Sequence, residues 1–325
     1  MSVKISSTPK ISVILLAFNR PQYLTRAFES VLSQTFDNFE IILVDNGSTD
    51  GETNTICRKL AENKSNVKLL QRTDSNIGRG RNAALDAAQG EYIVYVDDDD
   101  YASPELLDFL YRLALEYDAD ISFCGSYKQR INNPPEVQFE FNKRFVMTPE
   151  EAVYEVLERK ITNSALTPKL LKRGLCTQFY FPDGRKYDDI TISYKLFASA
   201  NRIAADGKPL YTFLRHSANN SGFTNDDKQL NPLQLEEYFC VYKERTEWLC
   251  KKLPTIAEYI NYSEWSFLLS MYRKITVNKL THCEKQRSYC AAYLEKAGDR
   301  YIKSSWIKDF EFTYLDLYKE TKNDK

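Results

Sequence analysis

Apolar positions in the first 125 residues follow two rhythms. Ile11 to Ala17 is a continuous, β-branched run of strand length, the pattern of a strand covered on both faces. Behind Pro21, the residues Leu24, Ala27, Phe28, Val31 and Leu32 recur at the three-and-four spacing of one buried helical face. Strand runs return at Phe39 to Val44 (closed by Asp45), Val67 to Leu70, Tyr92 to Val96 and Ala119 to Gly125. Helical patterns lie between them, near Thr53 to Glu62, from Arg79 to Gln89 before Gly90, and from the Ser103-Pro104-Glu105 start through Glu116. The alternation predicts an α/β fold, a mainly parallel sheet with helices on both faces. Ligands of such sheets sit beyond the carboxyl ends of the strands, where strand order reverses. That rule puts Asp45 and the run Asp97 to Asp100 at the mouth of a ligand crevice.

The later chain reads differently. Asn132 to Val137, with Pro134-Pro135, is a break, and Met147 to Phe223 mixes short helices with turns. From about Leu230 the pattern is helical, amphipathic and rich in aromatic residues, among them Tyr238, Trp248, Trp265, Tyr272 and Trp306. A helical core is the plain reading of these rings. A sugar-stacking groove, a dimer contact or a face resting on membrane are the sharper ones.

Composition changes this picture little. With 44 Lys+Arg against 45 Asp+Glu over 325 residues, the chain lacks the basic excess of a nucleic-acid binder. Seven cysteines without a CxxC pair, and only two histidines, give no zinc site and fit a reduced, cytoplasmic protein. The run Ile11 to Phe18 ends in Asn19-Arg20-Pro21 without a cleavage site, so it reads as a strand and not as a secretory signal. No apolar stretch approaches the ~20 residues of a membrane span.

Absent motifs narrow the chemistry. The turn after the first strand, Ala17-Phe18-Asn19-Arg20-Pro21, has no glycine, which disfavours a dinucleotide-binding dehydrogenase. There is no P-loop and no GxSxG elbow. What remains is a set of carboxylates at strand ends. Such a set repels anions unless a hard cation such as Mg²⁺ or Mn²⁺ joins it, and a cation-bridged diphosphate is a good leaving group. The competing explanation is a solvated acidic turn capping the next helix.

Several linked motifs then occur in order: Ile11-Ser12-Val13-Ile14, Asn19, Val31-Leu32-Ser33-Gln34-Thr35, Ile41 to Asp50, Asn76-Ile77-Gly78, Arg81-Asn82-Ala83-Ala84, Gly90-Glu91-Tyr92-Ile93, and Asp97 to Asp100 with Pro104. Together they resemble the donor half of the family 2 inverting glycosyltransferases, which have the GT-A fold. Downstream, Thr167 to Arg173 resembles that family's "NKLYKR" stretch, Phe181-Pro182-Asp183-Gly184 its "FPEG", and Tyr187-Asp188-Asp189 its "YED". The resemblance stops near residue 225. It implies a GT-A domain over residues 1–225, with nucleotide-sugar binding in 11–125 and the acceptor side and base in 126–225, before a helical region 226–325.

Carried over position by position, the resemblance implies that Asp45 or Asn46 reads the nucleotide base, with Leu16 and Phe18 lining its pocket. Arg81 approaches base or diphosphate. Asp97-Asp98-Asp99 stands as the DxD segment, Asp99 binding Mn²⁺ or Mg²⁺ and Asp97 and Asp98 near ribose and metal-bound water. Asp189 is the catalytic base, Asp188 shaping its loop; the alternative is an acidic pair at a helix start. In the stretch Tyr211, Phe213, Arg215, His216, Ser217 and Ser221, Arg215 faces the diphosphate and His216 is either a metal ligand or an ordinary surface histidine. His282 reads as structural.

The implied activity is metal-dependent transfer of a hexose or N-acetylhexosamine from a nucleotide-sugar, a UDP-sugar, to a glycan, lipid-linked glycan or glycoprotein hydroxyl. Rival readings are a sugar-nucleotidyltransferase or metal-dependent phosphohydrolase, and a catalytically silent glycan-binding scaffold. The first wants a Gly-rich loop or paired histidines, and the second wants damage at Asp99 or Asp189; neither is present. Residues 241–325 carry 16 Lys+Arg against 12 Asp+Glu, leaving the rest acidic. That excess is compatible with a peripheral contact at the inner membrane face. Oligomerisation is left open.

Overall fold

The computed structural model describes residues 8–216, 219 and 227–322. These fall into two compact units, one within Met1–Arg215 and one within His216–Lys325.

The first unit opens as the hydrophobic rhythm predicts: β1 Ile11–Ala17, α1 Pro21–Leu32, β2 Phe39–Asp45, α2 Thr53–Ala61, β3 Val67–Gln71, α3 Ile77–Ala87 and β4 Tyr92–Asp97. It continues through β5 Tyr101–Ala102, α4 Leu106–Tyr117, β6 Ile121–Arg130, β7 Glu136–Phe139, β8 Phe145–Met147 and α5 Pro149–Glu158. β9 Lys169–Lys172, α6 Arg173–Cys176, α7 Asp189–Ser199 and β10 Ile203–Arg215 complete it. The sheet runs β3-β2-β1-β4-β9-β6-β10-β5, with β7 on β6 and β8 on β10. Its first four strands are all parallel; beyond β4 the sheet is mixed, because β9 pairs antiparallel to both β4 and β6 while β10 runs parallel to β6.

The buried strands are apolar on both faces. Ile11, Val13, Leu15, Ile41, Leu43 and Val94 are inaccessible to solvent and pack with Leu24, Ala27, Phe28 and Leu110 into one core. This packing fixes the register. Ala17 lies opposite Asp45 and Leu16 opposite Asp97, so three strand ends finish at one level where strand order reverses.

Two local expectations change. The chain from Ser103 makes a turn, with Leu106 N–H donating to Ser103 O at 3.0 Å, and α4 begins only at Leu106. Gln34, just beyond α1, caps it instead, accepting from Leu107 N–H at 2.9 Å. Residues 203–215, read as part of a turn-rich stretch, form the longest strand. Its apolar rhythm is broken by Gly207, Lys208 and Pro209, where the pairing with β6 shifts register.

The second unit is helical: α8 Pro232–Lys252, α9 Ala257–Val277, α10 Glu284–Ala297 and α11 Asp309–Thr321. Its aromatic residues mostly build the core. Tyr262, Trp265 and Tyr272 are almost wholly buried, and the Tyr262 hydroxyl donates to Glu311 Oε2 at 2.6 Å. His282 Nε2 lies 3.0 Å from the Leu230 carbonyl, the structural role expected of it. Among the described residues, no helix is long and apolar enough to cross a membrane.

Candidate active site

At the end of β2, Asp45 is buried and its oxygens are occupied, accepting from Ser48 N–H at 3.1 Å and Asn54 Nδ2 at 2.6 Å. It braces the loop. The adjacent Asn46 is also buried, yet its Oδ1 has no hydrogen-bond partner among the described residues. A buried, unpaired acceptor is costly and invites a donor. Gly80 on α3 leaves the room: a Cβ there would stand 2.4 Å from Asn46 Oδ1 and 2.8 Å from Leu16 Cδ1. Of the two candidate base readers, Asn46 is therefore the one with hydrogen-bonding capacity to spare. Leu16 closes the end of β1, and Phe18, 38% exposed, donates its backbone N–H to Asp98 Oδ2 at 3.0 Å.

The run Asp97–Asp100 follows β4, and its four carboxylates have separate surroundings. Asp100 is turned inward, accepting from Tyr211 Oη at 3.0 Å and Leu214 N–H at 2.8 Å. The Tyr211 oxygen in turn accepts from Asp97 N–H at 3.2 Å. Tyr211, placed by sequence in a stretch facing metal or diphosphate, is thus a buried tie between the acidic turn and β10. Asp98 and Asp99 share Arg20, whose Nη1 is 2.9 Å from Asp98 Oδ1 and 2.8 Å from Asp99 Oδ2. Asp97 is the most exposed carboxylate of those paired with Arg20 or Arg81, at 38% of its side chain.

Asp188 and Asp189 lie at the start of α7, but Asp188 makes no side-chain cap bond. Both carboxylates meet Arg81 instead: Nη1 is 3.0 Å from Asp188 Oδ2 and also pairs with Asp189, while Nη2 is 3.3 Å from Asp97 Oδ1. The Arg81 guanidinium is 5.4 Å from the ring centre of Tyr95 and 5.5 Å from that of Phe181. The loop before α7 is also zipped to α3. Asn82 exchanges two hydrogen bonds with the Phe181 backbone, both 2.9 Å, and Asp183 is held by Asn76 and Arg79.

Five carboxylates thus crowd two guanidiniums. Burial, reinforced by neighbouring carboxylates, pushes Asp98 and Asp188 up to about 7, against the pull of Arg20 and Arg81. The cluster holds more negative charge than its arginines discharge, and all its donors are hard oxygens, which suits a divalent cation. Among the described residues no three His, Cys, Asp or Glu are gathered into a ready cage.

Arg215 ends β10, half-buried, its guanidinium 5.4 Å from the Phe213 ring centre. His216 belongs to the second unit, where its backbone N–H donates to Asn219 Oδ1 at 2.6 Å. Ser217 and Ser221 lie outside the described residues.

Two functional candidates escaped the sequence reading. Arg20 looked like part of a turn. Lys169, on β9, is 1% exposed; its Nζ donates to the Ala165 carbonyl and lies 6.0 and 5.9 Å from the ring centres of Phe123 and Phe197. Burial drives it down to about 7, opposed by the charge of Asp189. Its only sequence signal was its place in the Thr167 to Arg173 stretch.

Residues 12–177 match the profile described as glycosyl transferase family 2. Glycosyltransferase GlyG of Streptococcus pneumoniae is 32% identical over 216 residues, covering 64% of this chain and 71% of GlyG. The poly(ribitol-phosphate) beta-N-acetylglucosaminyltransferase TarS of Staphylococcus aureus is 30% identical over 210 residues, 63% of this chain but only 35% of TarS. A crystal structure of S. aureus TarS residues 1–349 in complex with UDP-GlcNAc superposes with a TM-score of 0.66 at 22% identity, covering 90% of this chain and 82% of that one. The fold is accordingly the GT-A α/β fold expected, followed by a helical region.

Proposed function

The chain belongs to glycosyl transferase family 2, and on that premise we propose that it is a metal-dependent, inverting glycosyltransferase using a UDP-sugar. The observation that carries the reading is Arg81, which pairs with Asp97 of the strand-end cluster and with Asp188 and Asp189 at the start of α7. One guanidinium thus gathers the carboxylates that this reading assigns to the donor and to the base, which supports a single displacement. The unpaired Asn46 Oδ1 supports a uracil reader, since N3–H of uracil is a donor. UDP-GlcNAc is the first donor to test, because the TarS structure was solved with it.

Asp189 takes the proton of the acceptor hydroxyl while that oxygen attacks the anomeric carbon on the face opposite the diphosphate. Arg81 orients Asp189 through their ion pair. Asp99, with Asp97 and Asp98 beside it, would hold Mn²⁺ or Mg²⁺, which when bound neutralises the departing diphosphate. Acceptors in this reading are hydroxyls of a glycan, a lipid-linked glycan or a glycoprotein. The seven unbridged cysteines support a cytoplasmic setting.

The test is turnover of a UDP-sugar panel with and without Mn²⁺ or Mg²⁺, for wild type, Asp99→Ala and Asp189→Ala. Each variant is expected to lose about 10²-fold or more. Undiminished turnover in either removes that residue from its role, and no UDP-sugar binding by calorimetry removes the reading.

A further inference from the structure

Arg20 stands where α1 begins, directly before Pro21. This is an N-cap position, at which Ser, Thr, Asp or Asn ordinarily lends a side-chain oxygen to the first turn. Arginine cannot do that, and no side-chain cap bond forms. The guanidinium turns to the acidic run instead, with one nitrogen, Nη1, bridging Asp98 Oδ1 at 2.9 Å and Asp99 Oδ2 at 2.8 Å. All three side chains are largely buried, at 17%, 5% and 6% exposure.

The surroundings pin this bridge. Phe18 N–H, two residues earlier, holds the other oxygen of Asp98. Arg26, one helical turn and a half further on, donates Nη2 to the Asp99 carbonyl at 2.8 Å and rests 4.7 Å from the Tyr101 ring centre. The start of α1 is thus fastened to the acidic turn at three points. Burial opposes the charge of Arg20, but Asp98, Asp99 and Asp97 keep it protonated.

An oxygen bound to a divalent cation at about 2.1 Å is poorly placed to hold a guanidinium as well, because the two cations repel at close range. We propose that Arg20 is the resident counter-ion of Asp98 and Asp99 and competes with the divalent cation for them, so that cation binding is weak until nucleotide diphosphate supplies further oxygens. The inference rests on the metal-dependent reading above and concerns what Arg20 does to that site. It makes the arginine a built-in brake on cation occupancy in the absence of donor.

The experiment is Mn²⁺ titration of the full chain, followed by the electron-spin resonance of free Mn²⁺, at pH 8 with and without UDP. Arg20→Gln is expected to bind Mn²⁺ about tenfold tighter than wild type without UDP, within the usual range of coupling between sites. Addition of UDP should then tighten Mn²⁺ less in Arg20→Gln than in wild type. Arg20→Lys, which keeps the charge, should stay close to wild type and controls for a damaged fold. Asp99→Asn should weaken binding in every background. Unchanged or weaker Mn²⁺ binding in Arg20→Gln overturns the proposal, as does failure of every variant to bind Mn²⁺ in the presence of UDP. Tighter binding without any sugar transfer would leave the proposal standing and remove the transferase reading. Metal-dependent transfer without tighter binding would do the reverse.

Discussion

Arg81 and Asp188 meet at 3.0 Å, both almost fully buried, although one is on α3 and the other directly precedes α7. The same guanidinium nitrogen also pairs with Asp189. Removing one partner of a buried ion pair typically costs about 3–5 kcal/mol, because the other is left uncompensated. Arg81→Met is therefore expected to lower stability by about that amount and turnover by about 10²-fold. Arg81→Lys should be intermediate, since a point charge on a flexible stem cannot span Asp97, Asp188 and Asp189 together. Urea unfolding and kcat/KM measure the two effects. Turnover of Arg81→Met within threefold of wild type would remove the positioning role.

Gly80 separates binding from stability. Alanine is worth about 1 kcal/mol over glycine in a helix interior, so Gly80→Ala should hold or raise the melting temperature if α3 alone decided the outcome. Its Cβ, however, falls within 2.4 Å of Asn46 Oδ1, which must move. The expected result is UDP binding weakened about tenfold, in line with a lost hydrogen bond, while Mn²⁺ binding changes little. Calorimetry with UDP reads this directly, and wild-type UDP affinity would count against Asn46 as base reader.

Lys169 gives a pH dependence of known sign. Its ammonium is held down to about 7 in the folded chain and returns to the ordinary lysine range, near 10.4, on unfolding. Between those values the unfolded chain binds the extra proton, so stability rises with pH and the penalty is fully present below about 7. Lys169→Met removes the penalty. Its stability advantage over wild type should be greatest near pH 6.5 and shrink by up to about 1.4 kcal/mol per pH unit toward pH 9.5. Parallel urea-unfolding curves for the two proteins across that range would show that Lys169 does not titrate there.

Tyr211→Phe deletes the hydroxyl that donates to Asp100 and accepts from Asp97 N–H. One buried carboxyl and one backbone donor each lose a partner, a loss of about 1–3 kcal/mol. Cation binding should weaken as well, because the turn carrying Asp97 to Asp99 loses its tie to β10. An unaltered unfolding midpoint would mean that water or Leu214 N–H makes good the loss.

The parallel half of the sheet was legible because β1, β2 and β4 are buried on both faces and the helices on one. Such elements carry their period openly in apolar residues. β10 was not, since Gly207-Lys208-Pro209 interrupts it at a register shift that only pairing with β6 explains. Among the candidate site residues, Asp97 to Asp99 and Asp189 stand out in the sequence as carboxylates at element ends. Arg20 and Lys169 did not. A charged side chain in a sequence reads as solvated by default, and only the packing of distant strands shows it sealed among carboxylates or aromatic rings.

Helix α3 and its cap join three parts of this arrangement. Gly80 makes room for Asn46, Arg81 holds Asp97, Asp188 and Asp189, and Asn76, Arg79 and Asn82 fasten the loop ahead of α7. The loop ahead of α7 is therefore not a module independent of α3. A chimera that imports the loop ahead of α7 from another member without its matching Ile77–Ala87 would set a foreign loop on the wrong keel.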